Sequence, residues 1–339
     1  MKSNYIKYIF FILVIIIVGV AIYAIYEDEA NKANNQIDKN TAQTNQTIKD
    51  IRLAVVNFDN INPLISKNRS VQEVTKLVFE PLLQLDKNYK LEPCLAKEWA
   101  KSGDTSYILK LRTDVKWQDG SAFTAQDVKY TIETLKQIDS IYSYNVQHII
   151  SVDIIDNYSI RLNLDTIVPF FEYNLIFPIV SINYFTGQDI QNTDKNFTPI
   201  ATGMYQITAN QDNTITLTKN QNWWNISQKD AKIETINVNK YSSMGEAYNA
   251  FKLGNIDLLT TENLNVEDNI GKIGYNKKEY YGREHDFIAL NCDDSIIGKA
   301  EVRKAIAYAI DKSGIVSSVY GGKYYVADNP LDCGNWTFD

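Results

Sequence analysis

Histidine and cysteine are scarce in this chain: two histidines, His148 and His285, and three cysteines, Cys94, Cys292 and Cys333, among 339 residues. They are far apart, and neither a C-x-x-C nor an H-x-x-x-H spacing occurs, which argues against a zinc site. Three cysteines are too few for a disulfide scaffold; one pair could form outside the cell, leaving one thiol over. A phosphate-cradling Walker loop, a nucleophile elbow and a metal signature are also missing, so nothing marks an enzyme and no cofactor is implied. Excess positive charge is absent too. A net charge of −7 and a pI near 5.1 exclude the basic footprint of a nucleic-acid-binding protein.

What is present is ordinary for a globular chain, with 45% hydrophobic and 22% charged residues and length enough for two or more domains. A single long apolar run, Tyr8 to Tyr26, is close to the roughly 20 residues a helix needs to cross a bilayer. Lys2 and Lys7 precede it and Glu27, Asp28 and Glu29 follow, which orients residues 1–7 inside and the remainder outside. Ala21 and Ala24 do not give a clean small-x-small cleavage site, and Tyr23 and Tyr26 crowd the exit. An uncleaved signal anchor over 8–26 is therefore expected, with a cleaved signal as the alternative. No cysteine follows the run closely enough to carry a lipid. Residues 27–50 are polar and rich in Asn, Gln and Thr, and read as a flexible linker.

From Ile51 onward strand and helix patterns alternate without an internal repeat. "IRLAVV" reads as a strand. "SVQE", Ser70 to Glu73, reads as a capping box opening a helix with Val71, Val74 and Val78 on one side. In "YILKLRTDVKWQDGSAFTAQDVKYTIETL", Tyr107, Leu109 and Leu111 alternate as a half-buried strand, and Val115 and Trp117 suggest a second, short one. "TAQD" caps a helix with Val128, Ile132 and Leu135 inward. Asp114, Asp119 and Asp127 each have a turn or a cap to shape, so this stretch reads as scaffold and not as a pair of catalytic carboxylates. A hairpin is expected at Asp156-Asn157, two strands joined at Asp212-Asn213, and a helix from Ser243 to a terminal Gly254. A strand over Ile256–Leu259, a buried strand in "FIALNCD" and a helix with Val302, Ile306 and Ala309 inward complete the pattern.

Five stretches stand in a telling order: "LVFEPLLQLDKNYKLEPCLAKEW", "YILKLRTDVKWQDGSAFTAQDVKYTIE", "PIATGMYQI", "AFKLGNIDLL" and "FIALNCDDSIIGKAEVRKAIAYAIDKSGIVSSVYGG". Through them the chain resembles the family 5 extracellular solute-binding proteins, the peptide- and nickel-type receptors of ABC importers. The resemblance implies an α/β, two-lobed periplasmic-binding-protein-like fold of type II with an extra inserted subdomain. The solute-binding domain would span 51–339: a first lobe from 51–68 and 151–281, an inserted subdomain at 69–150, and the start of a second lobe at 282–339. Members of the family continue well beyond the equivalent of "ADNPLDCGNW", so the second lobe is expected to be largely missing.

The implied role is extracellular capture of a short peptide, or of a metal chelate, and its delivery to an ABC permease with its ATPase. The membrane would be reached through the N-terminal helix. A membrane-anchored sensor or interaction module and a non-functional remnant are the alternatives. Asn57, Phe58 and Asn60 follow the first strand where the family's cleft wall begins; they either meet ligand or form a solvated loop with Phe58 packed inward. Gly203 and Tyr205 match a G-x-Y bend that resembles the family's cleft floor, although Gly203 also suits a backbone role. Trp223 and Trp224 read as packing, and Arg303 as half of a structural ion pair.

Overall fold

The computed structural model describes residues 49–229, 231–263, 265–280, 282 and 285–327. The expected anchor over 8–26 lies outside the described residues, as do residues 1–7 and nearly all of the linker. Among the described residues no helix is long and apolar enough to cross a membrane.

The first strand, β1 (Asp50–Val56), starts one residue before the expected position. A short helix α1 (Arg69–Thr75) follows, then β2 (Leu83–Leu85), β3 (Leu91–Pro93), β4 (Ala96–Gly103) and β5 (Ser106–Leu111). Val71, Val74 and Val78 are buried as their spacing predicts. The cap, however, is Asn68, whose side chain accepts from the amides of Ser70 and Val71. Ser70 instead donates its hydroxyl to the Asn68 side chain and to the Val56 carbonyl, and Glu73 pairs with Lys76. Asn68, two residues before Ser70, is itself a favourable cap residue, and its side chain also reaches the Val56 carbonyl of β1.

Helix α2 (Ala125–Leu135) begins at the predicted capping box, with both Thr124 and Asp127 engaged, and buries Val128, Ile132 and Leu135. Asp127 lies almost wholly inside, where its carboxylate accepts from the amides of Thr124 at 2.8 Å and Ile182 at 3.0 Å. Asp119 accepts from the amide and hydroxyl of Ser121, and Asp114 holds Arg112 through two bonds of 3.0 Å. All three carboxylates serve local structure. Val115 and Trp117 are buried as expected, but their segment makes one isolated bridge, Lys116 to Ala122, and no strand. The tight turn at Asp119-Gly120, with Gly120 at φ 88°, returns the chain too soon for a longer ladder.

The hairpin β6 (Ile149–Asp156) and β7 (Ser159–Leu164) turns at Asp156-Asn157. It completes an antiparallel sheet of order β4-β5-β7-β6. The expected subdomain boundary at 150 falls inside β6, and the hairpin after it pairs with β5, for example Leu109 with Ile160. Alternation explains this: Val152, Ile160 and Leu162 point into the core that Tyr107, Leu109 and Leu111 already line.

A second sheet has the order β1-β10-β9-β8, from β8 (Tyr205–Gln211), β9 (Thr214–Lys219) and β10 (Thr235–Tyr241). Its pair β1 and β10 is parallel and the rest antiparallel. Helix α3 (Met244–Lys252) follows, capped by Ser243 and closed by Gly254 at φ 71°. The strand expected over Ile256–Leu259 is reduced to a single parallel bridge, Leu53 to Leu258.

Beyond residue 282 two expectations change. Phe287 and Ile288 are 82% and 66% exposed in coil, not in a buried strand. Helix α4 (Ala300–Ala309) forms, and α5 (Lys312–Ser318) is capped by Asp311, yet neither buries a residue. Val302 and Ile306 are half-exposed and Ala309 exposed. Local propensity makes these helices; among the described residues their apolar side is only partly covered. Among the described residues Arg303 is in no ion pair; it donates to the carbonyls of Ile297 and Gly298.

Candidate functional site

In open α/β sheets ligands are met beyond the carboxyl ends of parallel strands, where chain directions diverge. Here that edge lies beyond Val56 of β1 and Tyr241 of β10, which are directly paired. The Asn57 amide donates to the Tyr241 carbonyl at 2.9 Å, after which the backbone turns sharply, with Asn57 at φ 54°. Asparagine tolerates this left-handed conformation better than most residues. The turn is fixed from behind by Asn68, whose side-chain amide donates to the carbonyls of Val56 and Asn57, both at 2.7 Å.

The following loop holds itself in shape. One Asp59 carboxylate oxygen accepts from the Asn60 amide at 2.7 Å and from the Ser66 hydroxyl at 2.8 Å. Asn60 Oδ1 accepts from the Asn62 amide, and buried Asn62 donates to Asn196 Oδ1 at 2.8 Å. Phe58 is half-buried against the core, with Phe197 at 6.3 Å between ring centroids and the Lys240 ammonium 4.7 Å above its ring. Burial lowers the Lys240 pKa. Arg69 is paired with Glu262 and Lys67 with Asp139, while Arg52, toward the opposite end of β1, is paired with Asp257. The edge therefore carries several charges already matched within the chain, and between them the exposed Asn57 and half-exposed Asn60 amides.

The two other candidates lie elsewhere. Gly203 is buried; its amide donates to the Val78 carbonyl at 2.9 Å, and an added Cβ would stand 2.4 Å from that oxygen. Tyr205 is 4% exposed, and its hydroxyl donates to the Ile233 carbonyl at 2.9 Å. Both are committed to joining the second sheet to the strap after α1 and present no side chain to this edge.

A buried cluster escaped sequence reasoning. Glu80 lies inside the protein, and its Oε1 accepts from the indole nitrogens of Trp223 at 2.9 Å and Trp224 at 3.1 Å. Oε2 accepts from Trp224 as well, at 3.0 Å. The Arg112 guanidinium lies 3.9 Å over the Trp224 ring. Burial pushes the Glu80 carboxyl above its ordinary range, against the pull of the two indoles, Thr202 and Arg112. The tandem tryptophans were a visible signal for packing, but their acceptor lies more than 140 residues away.

Comparison with known proteins agrees with this architecture. The family model of bacterial extracellular solute-binding proteins, family 5 (Middle), matches residues 90–339. The chain belongs to family 5 of the bacterial extracellular solute-binding proteins. This is a family of binding proteins, not of enzymes. Among family 5 relatives, the glutathione-binding protein GsiB of Salmonella paratyphi A is 26% identical over 289 residues, 81% of this chain and 54% of that protein. Its counterpart in Pectobacterium atrosepticum is 25% identical over 84% of this chain and 56% of that one. The chain thus spans little more than half the length of these relatives.

Among solved structures, NikZ of Campylobacter jejuni in complex with Ni(L-His) superposes with a TM-score of 0.65 at 28% identity, covering 84% of this chain and 57% of that one. The oligopeptide-binding protein AppA of Bacillus subtilis, in complex with a nonapeptide, gives 0.62 at 20% identity, covering 85% and 58%; that likeness concerns the fold alone.

Proposed function

We propose that the chain is the larger part of the extracellular substrate-binding component of an ABC importer, and that it captures short peptides for a membrane permease and its ATPase. The observation that carries the reading is the edge beyond β1 and β10, where exposed asparagine amides stand among charges already paired within the chain. Such a wall suits a ligand rich in amides, since an incoming peptide group meets a donor and an acceptor without displacing an ion pair. The names of the relatives point the same way: glutathione and a nonapeptide are peptides, and histidine supplies an amino-acid chelate. Asn57 and Asn60 are the proposed ligand contacts, with Phe58 as their packed support.

In this reading residues 50–68 and the second sheet form the first lobe. The inserted subdomain runs from about residue 69 through β7, because the hairpin β6–β7 belongs to the sheet of β4 and β5. Residues from 282 onward begin a second lobe, which accounts for the exposed apolar residues on α4 and α5. An N-terminal anchor over 8–26 would hold the receptor at the outer membrane surface.

The test is thermal unfolding of the full chain, with and without a pool of tri- to pentapeptides. A ligand that binds only the native state raises the melting temperature. The peptide pool is expected to raise it, and Asn57→Gly, which keeps the left-handed turn and removes the amide, is expected to cancel the rise while leaving the unliganded melt in place. A melt that ignores peptides, or a variant that responds like the parent, refutes the reading.

A further inference from the structure

The Glu80 cluster joins segments far apart in sequence and takes no part in the proposed ligand wall. Glu80 comes from the strap after α1. Trp223 and Trp224 come from the loop after β9, Arg112 from the end of β5, and Thr202 from the approach to β8. Among the described residues, the charged and titratable groups near the cluster are Arg112, Asp114, Lys97, Cys94 and Lys229. Arg112 is held by Asp114, which Lys97 also influences. The Cys94 thiol is buried and pushed up by desolvation and then by Glu80 itself, so it stays neutral. Lys229 is the remaining cation near Cys94.

The hydrogen bonds are asymmetric. Trp223 donates to Oε1 alone, whereas Trp224 divides its N–H between Oε1 and Oε2. Beside the carboxylate stands Thr202, 2% exposed, whose hydroxyl oxygen has no partner at full hydrogen-bond geometry. A hydroxyl can both donate and accept, so this one can serve either state of the carboxyl group. Ionised, Glu80 needs donors and has the two indoles, with the Thr202 hydroxyl beside them. Neutral, it needs one acceptor for its own O–H, and the Thr202 oxygen is the one standing open.

We infer that Glu80, Trp224 and Thr202 form an acid-operated latch between the loop after β9 and the end of β5. In the ionised form Glu80 holds both tryptophans, and its charge attracts the Arg112 guanidinium stacked on Trp224. On proton uptake the new O–H on Oε2 turns to Thr202 Oγ1. Trp223 keeps Oε1, Trp224 loses its Oε2 acceptor, and Arg112 loses the opposite charge beneath its stacking partner. Burial favours the neutral form, so the exchange falls above pH 4.5, the ordinary glutamate value. The latch stands apart from the peptide-binding reading and survives its failure.

The experiment is a pH titration of the full chain from 7 to 4 by near-ultraviolet circular dichroism, with the far-ultraviolet signal checking that the fold persists. Trp223 and Trp224 are T-shaped at 5.9 Å, close enough for their coupled signal to report a change in their relative setting. The expected result is a transition with a midpoint above pH 4.5 that disappears in Glu80→Gln, whose spectrum stays in the acid form at every pH. Thr202→Val removes a hydroxyl that favours the ionised form and is expected to raise the midpoint by about 0.5–1 pH unit, the worth of one hydrogen bond. Absence of a transition, its persistence in Glu80→Gln, or an unmoved midpoint in Thr202→Val each overturns the latch. The threonine variant decides the matter if the glutamine variant fails to fold.

Discussion

Replacing Gly203 by alanine separates a structural glycine from a ligand-contacting one. The ideal Cβ would lie 2.4 Å from the Val78 carbonyl oxygen, 2.7 Å from its carbon and 3.2 Å from the Leu77 oxygen. Contacts this short with backbone cannot be relieved by a rotamer change. The Val78 carbonyl cannot swing aside cheaply, because it accepts the Gly203 amide at 2.9 Å, and Leu77 accepts from Tyr205 at 3.1 Å. Overpacking a well-filled interior costs roughly 1–3 kcal/mol, and the loss of one of these hydrogen bonds about 1 kcal/mol more. The expected destabilisation is therefore about 2–4 kcal/mol, a large share of the ~5–15 kcal/mol that holds a typical protein folded.

Urea unfolding followed by tryptophan emission measures it, with Gly245→Ala as the control. At Gly245, near the start of α3, an added Cβ meets only the Ser243 hydroxyl at 3.8 Å, so stability should hold or rise by up to about 1 kcal/mol. A Gly203→Ala variant within about 0.5 kcal/mol of the parent would refute the packing argument. If it also lost peptide binding, Gly203 would return to the ligand site.

Two further outcomes follow from the same geometry. Leu109 is fully buried in the middle of the sheet β4-β5-β7-β6, and Leu109→Ala should cost about 2–5 kcal/mol by chemical denaturation, whereas Ile150→Ala on an exposed position of β6 should cost far less. Asp257 accepts three bonds from Arg52, and those bonds hold its carboxyl below the ordinary 3.8. Its folded pKa is depressed, so its stabilisation is complete above that value and is lost as pH falls through the lower folded one. Denaturation curves should accordingly show a small gap between parent and Asp257→Asn at neutral pH that closes below pH 3.8.

Much of this fold is written locally. Thr124 and Asp127 cap α2 because a threonine followed three residues later by a carboxylate satisfies two helix-end amides whatever surrounds it. Tyr107, Leu109 and Leu111 alternate because a strand has two faces, and the turns at Asp156-Asn157 and Asp212-Asn213 follow from residues that tolerate tight backbone. Order and pattern together were enough to identify the family. Tertiary structure decided the rest, wherever distant segments compete for one partner. Asn68 and not Ser70 caps α1, its side chain both accepting from the helix amides and donating to the carbonyls of Val56 and Asn57 at the end of β1. Gly203 and Tyr205 went to the core because the strap after α1 lies against them. "FIALN" has strand propensity, but a strand needs a neighbour's hydrogen bonds, and among the described residues none is offered. Glu80 met its two indoles only through folding, since periodicity reports which face a residue occupies and not which far-off group will share it.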